Sequence, residues 1–502
     1  MKRLLYFLAL SSTALLCACH KNKKNSTDGP SASGSTIDLI RDSVYLYAKE
    51  CYYWYDALPA YAAFQPRSFT GSTDLNALTS EVDALSQYKI NPATGQPYEY
   101  YSASPGIAKY SFIDNGQTSA ELGGTNADFG FAITAISNTD FRVRYVYPGS
   151  PAGNAGMHRG EQITKINGRT GLDLSNSTDY NFVLSAIRTS PINMTLKRAD
   201  NSTYDVTLTS VSYTVNPVLT YKVFDGGNGK KIGYVVLNTF TSPANAGPKL
   251  DEAFNYFAGN GITDLVVDLR YNGGGYISTS EYLANLIVPA AKNGTVMYNT
   301  YFNDILANGK EVLLKNQARR DQNNQPYNYG QVNYSVAANV VKFTKAGSLN
   351  INRVFFIVTG STASASELAI NNLRPQMDVK LIGRPTYGKP VGFFDIDINQ
   401  YQLYMPEFET KNAAGQGGYY TGMTPGTADY QGVLDNDDLT KDFGDPTEGL
   451  LAHAINYVKT GIYGAGLKVQ SLSGNNSVSP NINIGNQGFN GMIFDKPLKL
   501  KK

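Results

Sequence analysis

Three short segments of this 502-residue chain hold side chains and glycines that could do chemistry together. The first is Gly360-Ser361-Thr362-Ala363-Ser364-Ala365-Ser366-Glu367. It follows an apolar run and leads into a helical pattern with Leu368, Ile370 and Leu373. A hydroxyl at such a turn lies near a helix N-terminus, where free N–H groups and partial positive charge favour an oxyanion. The same residue types also suit plain helix capping. The second is Asp268-Leu269-Arg270-Tyr271-Asn272-Gly273-Gly274-Gly275. Three successive glycines exceed what a strand-end turn needs, and they let backbone N–H groups approach a ligand without obstruction by Cβ. The third, Gly383-Arg384-Pro385-Thr386-Tyr387-Gly388-Lys389-Pro390, nearly matches the phosphate-binding pattern GxxxxGK[ST]. Pro390 stands where Ser or Thr would hold Mg²⁺, and the following VGFFDIDI reads as strand, which argues against nucleotide binding.

A serine nucleophile needs a base. The chain has three histidines, His20, His158 and His453, and none lies in a loop like those above, so a Ser–His–Asp triad is disfavoured. No GxSxG elbow is present. A lysine serves instead when burial lowers its pKa toward neutrality. Lys389, flanked by glycine, proline and apolar residues, suits such burial.

The elements that must position these segments read as α/β. Leu265–Leu269 and Val354–Val358 are nearly all apolar, as expected of strands covered on both faces by helices. Each runs into a glycine-containing loop and then a helical pattern, and in such folds the loops at strand C-termini carry the chemistry. Lys231–Phe240 is a further strand-like run. Upstream, Ile37–Tyr55 has apolar residues at helical spacing and opens a helical N-terminal region without a chemical motif.

Composition narrows the function classes. Hydrophobic residues at 42% suffice for sizeable cores, and a net charge of +2 favours neither nucleic acid nor an acidic surface. Of three cysteines, Cys17 and Cys19 fall in the leader, which leaves Cys51 alone in the body and excludes a disulfide framework or a Cys-rich zinc site. Asp435-Asn436-Asp437-Asp438 lacks the glycine of an EF-hand loop and reads as a solvated acidic loop. No metal and no cofactor is expected.

Residues 147–168, with the string SPAGNAG…GEQITKING, closely resemble a PDZ domain. The resemblance implies that the turn Phe129-Gly130-Phe131 offers N–H groups to a peptide carboxylate while the peptide adds as a strand. The order PDZ, DLRYNGGG, GSTASASE, GRPTYGKP resembles the carboxyl-terminal processing peptidases, or tail-specific proteases, over about residues 121–450. That resemblance implies a crotonase-like core with an adjoining PDZ domain. It makes Ser364 the nucleophile, Lys389 the general base, and the amides of Ala365 and Gly275, or less readily Gly274, the oxyanion donors. Two departures stand out. Phe393 occupies the place where many relatives carry a Gln that orients the lysine, with Asp395 as a substitute on the same face. Extra length at about 295–345 would either lid the cleft or block it. Phe393 keeps a second reading open, a catalytically silent lipoprotein that binds peptides in the PDZ-like groove.

At the start, Lys2 and Arg3 precede an apolar stretch too short to span a bilayer comfortably, and Leu16-Cys17-Ala18-Cys19 resembles a bacterial lipobox. The expected layout is a signal peptide at 1–18 and a lipidated tether at 19–36, anchored through Cys19 to a membrane facing the periplasm, with the outer membrane as the default. The helical region then covers 37–120, the PDZ-like domain 121–215, the Ser/Lys peptidase domain 216–460, and a tail of uncertain structure 461–502. The expected partners are protein or peptide substrates.

Overall fold

The computed structural model describes residues 29–321, 323–464, 482–484, 491–495 and 499–501. Cys19 and the leader lie outside the described residues. The chain is mixed α/β, with a PDZ-type sheet and a helical N-terminal region, as the sequence predicts.

The half that holds the three chemical segments is built on a six-stranded sheet. Its order is Gly432–Leu434, Asp378–Gly383, Arg353–Val358, Asp264–Asp268, Lys230–Leu237 and Val218–Gly227. All neighbouring pairs are parallel except the last. Period-2 alternation explains the continuous apolar runs. Val267, Phe356 and Val358 pack on one face with the helices Pro243–Asn260 and Ala365–Leu373, while Val266, Phe355 and Ile357 pack on the other with Gly449–Thr460. Because 378–383, 353–358 and 264–268 are adjacent and parallel, the loops after them open at one end of the sheet. The three chemical segments meet for that reason.

The extra length at 295–345 is largely scaffold. Val296–Phe302 pairs antiparallel with Phe408–Asn412 and with Val340–Lys342, forming a second sheet that continues to Val391–Gly392, directly after Lys389. The PDZ-type sheet runs Phe131–Ser137, Asp140–Val146, Gln162–Ile166, Ile192–Lys197 and Thr203–Leu208 around Ile133, Val143, Ile166 and Leu196.

The run Asp435–Asp438 departs from the expected solvated loop. The Asp437 side chain is 1% exposed and pairs with Arg159 of the PDZ block at 2.7 Å and with Arg270 at 2.6 Å. Arg270 also holds Asp268 and Glu448, so the acidic run closes a buried ion-pair network between two parts of the chain. Among the described residues no group of side chains suits a metal ion.

Candidate active site

Ser364 stands at the N-terminus of helix Ala365–Leu373 with φ at 56°, in the left-handed region that non-glycine residues seldom occupy. Strain of this kind costs on the order of 1–3 kcal/mol and persists where its surroundings over-determine it. The surroundings are specific. Thr362 Oγ1 donates to the Leu269 carbonyl at 2.7 Å, and the Ala363 amide donates to the Asn272 carbonyl at 3.0 Å, which laces the serine loop to the glycine loop. Of the three serines in the segment, Ser361 Oγ accepts from Arg144 at 2.8 Å and Ser366 Oγ donates to the Asn272 carbonyl at 2.9 Å. Ser364 Oγ is buried and has no hydrogen-bond partner among the described residues. It is the hydroxyl left available for chemistry.

Glu367 links this loop to the lysine loop. One carboxylate oxygen accepts the amides of both Ser364 and Lys389, each at 2.8 Å. The other accepts the Gly388 amide at 2.7 Å and Thr386 Oγ1 at 2.5 Å. Burial raises the Glu367 carboxyl above its ordinary value, against these four hydrogen bonds, which pull it down. The sequence assigns this residue no chemical role, although Ser364 and Glu367 match the S-x-x-E signature in which an acidic side chain reaches back to a helix start.

Lys389 is fully buried, and loss of hydration lowers its pKa well below that of a free lysine. Glu99 and Glu367 oppose the shift, and Lys109 reinforces it. Lys389 Nζ lies 3.8 Å from the Phe393 ring centroid, so the aromatic face can receive an ammonium as it forms. Asp395 is committed elsewhere, to Arg319 at 2.9 Å and Tyr329 at 3.0 Å.

The oxyanion assignments separate on geometry. The Gly274 amide donates to Asn272 Oδ1 at 2.9 Å and is therefore engaged. Gly274 has φ at 114°, and a Cβ there would lie 3.1 Å from the Ala365 amide nitrogen, so this backbone runs directly beside the helix start. Ala365 and Gly275 remain the candidate donors, although in this structure the Gly275 amide faces the paired strand Gly491–Ile493. In the PDZ block, Gly130 has φ at 78°, and a Cβ there would lie 2.0 Å from Ser150 Cβ, so only glycine fits the turn between Phe129 and Phe131. The Gly130 amide is bound to Asp128 Oδ1 at 2.8 Å, which withdraws one of the donors expected for a peptide carboxylate.

Three residues near the lysine were not foreseen, and all come from the N-terminal region. Tyr110 OH donates to the Gly388 carbonyl at 2.5 Å. Lys109 Nζ donates to the same carbonyl at 3.3 Å and to that of Tyr420 at 3.2 Å. Glu99 is buried and accepts from Tyr52 OH, Ser111 Oγ and the amides of Tyr110 and Ser111.

Comparison with known proteins agrees with this geometry. Residues 231–425 match peptidase family S41, and residues 142–198 match a PDZ domain. The carboxyl-terminal-processing protease of Picosynechococcus is 27% identical over 278 residues, covering 54% of this chain and 55% of that protein. The carboxy-terminal processing protease CtpA of Bacillus subtilis is 24% identical, covering 56% and 51%. The chain thus spans about half the length of the curated relatives it matches. A crystal structure described as an S41 protease from Bacteroides fragilis superposes with a TM-score of 0.54 at 23% identity, covering 82% of this chain and 96% of that one, which supports the fold. With the serine, lysine and glycine loops at one end of the sheet and a PDZ domain ahead of them, this chain carries a peptidase family S41 domain and is related to the carboxyl-terminal processing proteases.

Proposed function

We propose that the chain is a serine-type endopeptidase that cleaves unfolded or C-terminal protein segments through an acyl-enzyme at Ser364, with Lys389 as general base. The observation that carries this reading is the Glu367 carboxylate, which accepts the Ser364 and Lys389 amides on one oxygen and so ties the two loops together. The neutral Lys389 amine takes the Ser364 hydroxyl proton as Oγ bonds to the peptide carbonyl carbon. The Ala365 and Gly275 amides stabilise the oxyanion. Collapse of the intermediate breaks the C–N bond, and Lys389 returns the proton to the departing amine. Water, deprotonated by the same lysine, then hydrolyses the ester.

The PDZ block takes part of the substrate as an added strand. With Asp128 bound to the Gly130 amide, a terminal carboxylate would meet negative charge at the turn, so the backbone of the strand is the feature read. Free and amidated C-termini on one unfolded substrate are expected to be cleaved equally. Preference for the free acid would restore the carboxylate reading.

Membrane attachment through Cys19, facing the periplasm, rests on the leader sequence. No helix among the described residues is long and apolar enough to cross a membrane. Cys19→Ser is expected to leave an unprocessed or soluble product with the catalytic block unaffected. Recovery of that variant as a mature lipid-anchored protein would end the lipobox reading.

Ser364→Ala and Lys389→Ala are each expected to lower hydrolysis of an unfolded protein by about 10³-fold or more, and the double variant no further, because the pair acts as one unit. A serine-acylating probe should label the parent chain and not Ser364→Ala. Near-full activity in Lys389→Ala would remove the dyad assignment, whereas a parent chain that neither hydrolyses substrate nor takes the probe would favour the catalytically silent peptide binder.

A further inference from the structure

Ser364 and Lys389 are both wholly buried, so a peptide reaches them only if something moves. The chain's own carboxyl-terminal segment occupies the approach. Gly491–Ile493 runs parallel to Gly274–Tyr276, and the Gly491 amide donates to the Gly273 carbonyl at 3.0 Å. Its other edge bonds the strand that follows the lysine. The Phe393 amide donates to the Met492 carbonyl at 2.9 Å, and the Phe494 amide to the Phe393 carbonyl at 2.7 Å. A strand therefore lies between the glycine loop and the lysine loop, hydrogen-bonded to both. The Gly491 carbonyl oxygen is 2.1 Å from where a Cβ of Gly274 would stand, a point itself 3.1 Å from the Ala365 amide. A peptide carbonyl of the tail thus lies alongside the oxyanion donors.

The remaining contacts are those of a seated ligand. Met492 is buried against Gly392, whose Cβ would come within 2.7 Å of Met492 Cγ. Asp495 accepts from the Ser278 amide at 3.1 Å and from its hydroxyl. Beyond it, the Asn333 amide donates to the Lys499 carbonyl, and the Lys501 amide to the Gln331 carbonyl, both at 2.7 Å. Lys501 Nζ pairs with the buried Glu311 carboxylate and donates to the Gly330 carbonyl at 3.0 Å. Upstream, Ile482–Ile484 adds antiparallel to Ile133–Ala135, at the free edge of the PDZ sheet, and runs toward the Phe129–Phe131 turn. One segment touches both surfaces that the proposed function gives to a substrate.

We propose that the carboxyl-terminal segment is an intramolecular peptide ligand of the catalytic cleft. It holds the strand position of a substrate, and a peptide in extended conformation enters as the segment leaves. The inference rests on the peptidase reading for the identity of the incoming peptide. The occupant itself is fixed by the backbone pairings. A tethered strand competes at millimolar effective concentration, so its removal is expected to raise kcat/KM for an unfolded substrate about tenfold or more.

The test compares the full chain with one ending at Gly464. Labelling of Ser364 by an acylating probe should accelerate in the shortened chain, and backbone amides at 273–276 and 393–394 should exchange hydrogen faster. A synthetic peptide of residues 479–502, added in trans, should reverse both effects. Should the shortened chain misfold, Lys501→Glu in the full chain serves instead, since this exposed residue faces the Glu311 carboxylate and its reversal loosens the end of the segment. Unchanged labelling and exchange in whichever of these variants folds, together with no binding of the peptide to the shortened chain where that chain folds, would overturn the inference. Exchange and peptide binding are also measured in Ser364→Ala. Protection by the peptide without hydrolysis in any form would end the peptidase reading and leave this one standing. Hydrolysis independent of the segment would do the reverse.

Discussion

Two regions flank the six-stranded sheet, and what each displays in sequence differs from what it brings to the candidate site. The PDZ block carries an unmistakable motif. Its links to the catalytic half are structural: Arg144 to Ser361, and Arg159 to Asp437, Tyr271 and the carbonyls of Asp438 and Lys441. The N-terminal region carries no motif, yet it sets Glu99, Lys109 and Tyr110 around the lysine loop. One region braces the Ser364 loop from outside. The other sets the electrostatic environment of Lys389. A recognisable motif reports common ancestry, whereas a charge near Lys389 acts through distance and burial alone.

If that contrast is right, variants on the PDZ side change stability and leave the pH profile in place. Arg159→Met is the strongest case. Its guanidinium is 1% exposed and is bound to an Asp437 carboxylate equally buried. Removing one partner of a buried pair costs about 3–5 kcal/mol, and the surviving Arg270 contact to Asp437 holds the loss near about 3 kcal/mol. Thermal unfolding should register a large fall in Tm, while the acid limb of the rate profile stays where it is in the parent. A moved limb would show that the PDZ block acts on the base as well.

The fold was legible where local rules suffice. Val354–Val358 and Leu265–Leu269 are apolar throughout because helices cover both faces, and adjacency of parallel strands then carries their loops to one place. Ser364, Lys389 and the glycine loop were legible for the same reason, since each chemical need is met within a few consecutive residues. Glu99 and Lys109 were not, because nothing in their spacing encodes a contact with a loop 279 positions away in the chain. The tail's place was not legible either, because the short apolar run Met492-Ile493-Phe494 stands in a segment rich in Asn, Ser and Gly and its strand pairings are all to residues distant in the chain.

Glu99→Gln tests the N-terminal side. Glu99 heads the charges that raise the Lys389 pKa, so an isosteric neutral side chain should lower that pKa further. Only the free amine works as a base, and the acid limb of kcat/KM should therefore move to lower pH. Each Glu99 oxygen accepts two of its four hydrogen bonds, so an amide NH2 in place of one oxygen disturbs two of them, and a stability loss of about 1–3 kcal/mol should accompany the shift. An unmoved limb would mean that Glu99 is only a buried brace, and the contrast between the two regions would collapse.

Lys109→Met carries the opposite sign and the smallest effect. Lys109 lies behind both Glu99 and Glu367 among the charges acting on Lys389, and it is the one of the three that lowers the pKa. Burial also depresses the pKa of Lys109 itself, which reduces its charge at high pH and confines its influence to the range where it remains protonated. Replacing it with an apolar side chain of similar length removes a like charge, so Lys389 should hold its proton to higher pH and the acid limb should move upward. The lost contacts to the Gly388 and Tyr420 carbonyls leave Tyr110 OH still bound to Gly388, so the loop should keep its place and the plateau rate should stay within about threefold. In the double variant with Glu99→Gln the two shifts should oppose each other, leaving a downward shift smaller than that of Glu99→Gln alone, because each acts on the same amine through space. A downward shift in Lys109→Met, or a double variant that follows one parent alone, would mean that the loop has moved and that its position, not its field, sets the base.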